Sequence, residues 1–77
     1  MDEPLVRISQ SGAVRTLQLN RPEALNSFNS HLHAALMAAL DEAAADSAVR
    51  CVVLGGAGRA FCAGQDLADP MVAPDPT

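Results

Sequence analysis

The 77-residue sequence has no lysine, no tryptophan and no tyrosine, and all five of its basic residues are arginines. These arginines are spread along the chain, and the formal net charge at pH 7 is −4. Binding to nucleic acid without base specificity requires a stripe of basic side chains that neutralises phosphates. The composition therefore predicts no nucleic-acid partner.

Long apolar runs are missing as well. The longest unbroken run covers residues 34–40, whereas a membrane-spanning helix needs about 20 apolar residues. The first four residues, Met-Asp-Glu-Pro, are acidic where a secretory leader would carry basic residues. We expect no membrane association and a cytoplasmic protein.

Candidate metal ligands and reactive thiols are few. Cys51 and Cys62 lie among apolar neighbours, without Cys-x-x-Cys spacing or flanking lysines, which indicates reduced, buried thiols and no redox pair. His31 and His33 are two positions apart on a predicted helix, so they point in different directions and cannot share a ligand. The sequence predicts no metal site.

The chain is long enough for one small domain at most. Of its residues 49% are hydrophobic, but 15 of these are alanines, which bury little area each. We therefore expect residues 1–77 to be part of something larger. Residues 68–77 are rich in Pro and Asp and are predicted to form a mobile loop or tail.

The predicted elements give an α/β fold. Residues 5–9 and 13–19 read as a β-hairpin around Ser11-Gly12, because a tight hairpin turn favours glycine. Pro22 breaks the second strand, so residues 20–26 are predicted to be a shaped loop.

A helix and a third strand follow this loop. The helix is predicted over residues 29–45, with N-cap candidates before it and an apolar stripe along one face. The cap candidates are Ser27, Asn29 and Ser30, and the stripe consists of Leu32, Leu36, Leu40 and Ala43. Ala35 and Ala39 widen this stripe and would allow a close approach to a sheet. Residues 49–54 form a continuous apolar run after Arg50, which predicts a strand covered on both faces and parallel to the second strand.

A glycine-rich stretch over residues 55–67 follows that strand. A phosphate-binding P-loop is excluded because the chain has no lysine, and a dinucleotide fingerprint fails because Phe61 stands where Gly or Ala is required. Two interpretations remain. The turn at residues 63–66 forms part of an oxyanion hole, with Asp66 accepting backbone hydrogen bonds, or the stretch only turns the chain.

Three segments taken together resemble the crotonase (enoyl-CoA hydratase/isomerase) superfamily. They are Asn-Arg-Pro-Glu-Ala-Leu-Asn at residues 20–26, Val-Val-Leu-Gly-Gly at residues 52–56 and Phe-Cys-Ala-Gly-Gln-Asp-Leu at residues 61–67. The last segment looks most like the 1,2-epoxyphenylacetyl-CoA isomerases of phenylacetate degradation. The resemblance implies the N-terminal part of a ββα superhelix, incomplete as given, with hairpin, helix, buried strand and glycine-rich oxyanion loop.

The resemblance also implies an acyl-CoA hydratase or isomerase that works through the enolate of a CoA thioester. Coenzyme A would be part of the substrate, with no tightly bound cofactor. The backbone N–H of Gln65 would be the first oxyanion donor, and its side chain would be incidental. The implied substrate- and CoA-binding residues are Glu23, Ala24, Leu25, Ala63, Gly64, Gln65, Asp66 and Leu67.

Other parts of the family's machinery have no counterpart in the sequence. In the family, a second oxyanion donor and the acid/base carboxylates come from later segments, so we expect the 77-residue chain to be inactive alone. The family also implies a homo-oligomer, a trimer or a dimer of trimers. The alternative is a small non-catalytic α/β interaction domain in which the glycine loop is only a turn.

Overall fold

The computed structural model describes residues 4–68, which form a three-stranded sheet with one helix. The strands run in the order β1-β2-β3, with β1 antiparallel to β2 and β2 parallel to β3. The elements are β1 (Val6–Ser11), β2 (Val14–Leu19), a 3₁₀ turn (Pro22–Ala24), α1 (Ser30–Ala45) and β3 (Cys51–Gly56). The predicted α/β class is confirmed, with a β-hairpin followed by a β-α-β crossover. The predicted tail, except for Ala68, lies outside the described residues.

The hairpin turn is as tight as the sequence predicts. Ser11 and Val14 pair directly across the two strands, which leaves a two-residue connection. Gly12 has φ +60°, a left-handed conformation that glycine adopts without steric cost.

The core lies between the sheet and the helix. Leu17 and Leu19 of β2 are fully buried against Leu32 of α1, and Val6 of β1 belongs to the same buried cluster. Burial of each leucine contributes roughly 2 kcal/mol. The helix begins where predicted, because the Asn29 side chain accepts a hydrogen bond of 2.8 Å from the Leu32 N–H.

The predicted helix stripe is wrong at Leu40, while the predicted close approach to the sheet through Ala39 is confirmed. Leu40 is 37% exposed, whereas Ala39, beside it in sequence, is buried together with Leu32 and Ala43. Since α1 packs on β1 and β2, the face turned to the sheet is the one that carries the small alanines. Alanine allows a close approach of helix and sheet, and the larger Leu40 is left at the margin.

The prediction that the third strand is buried on both faces is wrong for the described residues. Val52, Val53 and Leu54 are 39%, 47% and 41% exposed. β3 has one strand neighbour, β2, and α1 lies over the other two strands of the sheet. Cys51 is exposed for the same reason, which corrects the prediction of a buried thiol, while Cys62 is half-buried.

Candidate functional site

Two loops that are far apart in sequence lie side by side. They are residues 20–28, between β2 and α1, and residues 57–68, after β3. The Ala63 N–H donates to the Leu25 carbonyl oxygen at 3.0 Å, and the Phe28 N–H donates to the Gly64 carbonyl oxygen at 2.8 Å. The two groups of predicted binding residues are thus brought together at the segment that follows β3.

Gln65 is held by a parallel bridge to Phe28. Phe28 donates its N–H to the Gly64 carbonyl oxygen at 2.8 Å and accepts from the Asp66 N–H at 2.7 Å. In a parallel bridge, one residue bonds to the two neighbours of its partner, here Phe28 to Gly64 and Asp66. The N–H and C=O of the partner itself, Gln65, then point away from the Phe28 segment. The Gln65 N–H therefore faces the outer edge of the loop pair, and within residues 4–68 it has no hydrogen-bond partner.

Gly64 sets the direction of the peptide that ends in this N–H. Its φ is +97°, and a Cβ built on it would meet no atom within 4 Å. The glycine is required for its backbone conformation and not for space. Its own N–H donates to Cys62 Sγ, with the nitrogen 3.4 Å from the sulfur, so the thiol supports the turn.

Asp66 follows Gln65, and its carboxylate contacts both Ala68 and Arg21. Its Oδ1 accepts from the Ala68 N–H at 2.9 Å, which confirms the predicted backbone hydrogen bond in the turn. Its Oδ2 forms an ion pair with Arg21 Nη1 at 2.9 Å, and both side chains are 19% exposed. Sequence reasoning missed this pair, since no local pattern links residues so far apart.

Asn26 connects the first loop to the glycine-rich stretch and was also missed. It is fully buried, and its Oδ1 accepts from the Arg21 N–H at 2.7 Å. Its Nδ2 donates to the carbonyl oxygens of Ala57 at 2.9 Å and Ala60 at 2.8 Å. Its φ is +56°, and the tolerance of Asn for this region was the one local signal that could have marked it.

The predicted CoA-binding residues 23–25 lie in a tight turn. The Leu25 N–H donates to the Pro22 carbonyl oxygen at 3.1 Å, and Leu25 itself has φ +54°, which is uncommon for a residue with a branched side chain. The Ala63 N–H is already bonded to Leu25, so the group that Ala63 can offer a ligand is its carbonyl oxygen. Leu67, the last predicted binding residue, is 71% exposed.

The remaining surface features do not coincide with the predicted site. A cavity of about 620 Å³ opens on the sheet face opposite α1, near Arg7, Gln18 and Gly55, and none of the predicted binding residues lines it. In the described part of the chain, no three His, Cys, Asp or Glu side chains are grouped as a metal site requires. No helix among residues 4–68 is long and apolar enough to span a bilayer.

Comparison with known proteins identifies the family. The family model for enoyl-CoA hydratase/isomerase matches residues 14–73, which include both loops. The chain belongs to the enoyl-CoA hydratase/isomerase family. A 1,2-epoxyphenylacetyl-CoA isomerase from Escherichia coli (strain K12) is 58% identical over 64 residues, which are 83% of this chain and 24% of that protein.

Solved structures of family members share the fold. An enoyl-CoA hydratase from Mycobacterium tuberculosis H37Rv aligns with a TM-score of 0.80 and 42% identity, over 83% of this chain and 28% of that one. For an enoyl-CoA hydratase from Mycobacterium smegmatis the TM-score is 0.83 and the identity 37%, over 87% and 31%. The resemblance and the crotonase-type fold are confirmed. The chain spans about a quarter to a third of these relatives.

Proposed function

We propose that the protein is an acyl-CoA hydratase or isomerase that stabilises the enolate of a CoA thioester with backbone N–H groups. The Gln65 N–H is the first of these donors. The observation that supports this role is that the Gln65 N–H is held in place but not used by the fold. The bridge to Phe28 fixes the peptide on both sides, yet within the described residues nothing accepts from the N–H itself.

A donor of this kind suits enolate chemistry. As the thioester loses a proton from the carbon next to its carbonyl, negative charge moves onto the carbonyl oxygen, and a preorganised N–H stabilises that charge. The loss of one oxyanion donor typically lowers the rate by about 10²–10³-fold. Because Gly64 and Phe28 hold the peptide before substrate arrives, little reorganisation is needed during the reaction.

The acid/base group is not assigned to any carboxylate of the described residues. Asp66 is paired with Arg21, and Asp46 at the end of α1 is paired with Arg15 at 2.8 Å. Asp41 and Glu42 are exposed on the helix. We therefore expect the 77-residue polypeptide alone to bind a thioester oxygen without turnover.

The two loops would contact coenzyme A through their backbones. The turn at residues 23–25 lies next to Ala63, whose N–H donates to the Leu25 carbonyl oxygen, and the Ala63 carbonyl oxygen could accept a hydrogen bond from the adenine amino group. Coenzyme A is part of the substrate in this proposal, with no tightly bound cofactor. A cytoplasmic homo-oligomer, as a trimer or a dimer of trimers, also remains part of the proposal.

The finer proposal is isomerisation of the ring epoxide of phenylacetyl-CoA. Its support is the 58% identity to the Escherichia coli 1,2-epoxyphenylacetyl-CoA isomerase over 64 residues. An isomerisation needs no second substrate, whereas hydration consumes water. Product analysis in ¹⁸O-labelled water separates the two reactions in an active enzyme that contains these residues, because only hydration incorporates the label.

The central claim is tested by comparing two ligands that differ in one oxygen. Butyryl-CoA has the thioester carbonyl, and S-butyl-CoA is the thioether that lacks it. We define the thioester preference as the Kd of S-butyl-CoA divided by the Kd of butyryl-CoA. A preference above one, with the Gln65 amide resonance shifted by butyryl-CoA alone, supports the proposal. A preference of one contradicts it, and no binding of either ligand favours the non-catalytic interaction domain.

A further inference from the structure

We propose that Arg21 is a positioning residue that fixes the direction of the Gln65 N–H; as a role in catalysis, this rests on the function proposed above. Arg21 is not among the residues implied by the family resemblance. It lies in the first loop, while Gln65 lies in the second. Its effect on Gln65 is exerted through Asp66 and Ser27.

The guanidinium of Arg21 joins the two loops next to the bridge. Its Nη1 lies 2.9 Å from Asp66 Oδ2 and donates to the Ser27 carbonyl oxygen at 2.9 Å. Ser27 directly precedes Phe28, and Asp66 directly follows Gln65. Arg21 therefore contacts both segments of the bridge, through Ser27 in the first loop and Asp66 in the second. Its side chain limits how far the two segments can rotate or separate.

The bridge needs such support because it is short. It is an isolated pair outside the named strands, with two backbone hydrogen bonds, both to Phe28. A ladder of this length has no neighbouring pairs to share a distortion. The Arg21–Asp66 pair is four-fifths buried, and charge-assisted hydrogen bonds are roughly twice as strong as neutral ones. We infer that this pair, together with the bridge, determines the orientation of the peptide between Gly64 and Gln65.

The chain contains a matched control for this pair. Arg15 Nη2 pairs with Asp46 Oδ2 at 2.8 Å, again between two distant segments, and the Arg15 side chain is 15% exposed. This pair connects β2 to the C-terminal end of α1 and contacts neither loop. Removal of either pair costs stability, but only removal of the Arg21 pair is expected to affect Gln65.

The first test needs no ligand. Amide chemical shifts and hydrogen exchange at Gln65 are measured in the wild type and in Arg21→Gln, Arg21→Lys and Arg15→Gln. We expect Arg21→Gln to move the Gln65 amide resonance and speed its exchange, Arg21→Lys to do so less, and Arg15→Gln to leave both unchanged. If Arg21→Gln does not fold, Asp66→Asn breaks the same ion pair with a side chain of equal size. An unchanged Gln65 amide in a folded variant overturns the proposal.

The second test measures the consequence for binding. In Arg21→Gln the thioester preference should fall toward one, the value expected when the donor no longer faces the thioester oxygen, because a small misplacement of a positioned group is costly. The Kd for S-butyl-CoA should stay the same. Arg15→Gln should keep the wild-type preference. An equal loss of affinity for both ligands would indicate a merely structural role and overturn the proposal. A wild-type preference of one would instead refute the proposed function. The ligand-free test would still show whether Arg21 positions the Gln65 N–H.

Discussion

The side-chain nitrogen of Asn26 lies 2.8 Å from the point that a Cβ on Gly56 would occupy. The Ala60 carbonyl oxygen lies 2.6 Å from the same point and accepts a hydrogen bond of 2.8 Å from Asn26 Nδ2. A side chain at Gly56 would thus stand inside the contact that joins the two loops. The glycine at the end of β3 is what allows Asn26 to reach the backbone beyond the strand.

Gly56→Ala should therefore destabilise the protein by about 3 kcal/mol, the upper end of overpacking costs, because two of the atoms in its way are backbone carbonyl oxygens. The measurement is the urea midpoint of unfolding at constant m-value. Gly55→Ala is the matched control, since a Cβ on Gly55 would meet no atom within 4 Å. Equal losses in the two variants would contradict the assigned role of Gly56.

Asn26→Ala should cost about 3 kcal/mol, because it leaves the Arg21 N–H and two carbonyl oxygens without their partner in a buried site. Thermal or urea unfolding measures the loss. Asn20→Ala serves for comparison, because the Asn20 side chain makes one exposed hydrogen bond, to the Pro4 carbonyl oxygen at 2.8 Å. Its cost should be about 1 kcal/mol or less. A reversed order would show that Asn26 does not hold the loops together.

Asp46 should make stability depend on pH. The hydrogen bond from the Ala48 N–H, followed by the Arg15 guanidinium, lowers the pKa of the Asp46 carboxyl below its usual 3.8. Because the folded-state pKa is the lower one, the carboxylate stabilises the fold above the unfolded-state pKa, and this contribution is lost as pH falls through the folded-state value. The stability difference between wild type and Asp46→Asn should thus be largest near neutral pH and shrink below the usual 3.8.

Urea unfolding across the acid range measures this difference. In Arg15→Gln the pH dependence should be reduced but still present, since the Ala48 N–H is the larger cause and is left in place. A difference between wild type and Asp46→Asn that did not change with pH would contradict the account.

The elements that local patterns specify were predictable. A cap residue followed by apolar spacing determines where α1 begins, and Asn29, one of the three predicted candidates, performs this role. The hairpin is likewise decided by alternating strands around Gly12. The bounds of β3 were less predictable, since the prediction ended it before two glycines. Pairing of Gly55 and Gly56 with β2 extends the strand against their low strand propensity.

The contacts that build the candidate site were not predictable from local patterns. Arg21 and Asp66 lie in different loops, and neither residue's neighbours in sequence indicate the other. The family resemblance placed both loops in one binding region, which agrees with their adjacency here, but it said nothing of Arg21 or of the Asn26 hydrogen bonds. Side-chain contacts between distant loops depend on how the whole chain packs, so they emerge only from coordinates.

Gln65→Pro removes the proposed oxyanion donor while keeping the backbone atoms that form the bridge. Proline lacks an N–H, and within residues 4–68 the Gln65 N–H has no hydrogen-bond partner to lose. The carbonyl oxygen of Gly64 and the N–H of Asp66, which form the bridge to Phe28, are both retained. The thioester preference should therefore fall to about one, because the N–H that would contact the thioester oxygen is gone.

Gln65→Ala is the matched control for this substitution. It removes the exposed side chain but keeps the backbone N–H, so the thioester preference should stay at the wild-type value. Isothermal titration with butyryl-CoA and S-butyl-CoA measures both variants, and the Phe28 amide resonance reports whether the bridge persists. If Gln65→Pro keeps the bridge and still prefers the thioester, then another group holds the carbonyl oxygen. If Gln65→Ala loses the preference, the side chain and not the backbone makes the contact.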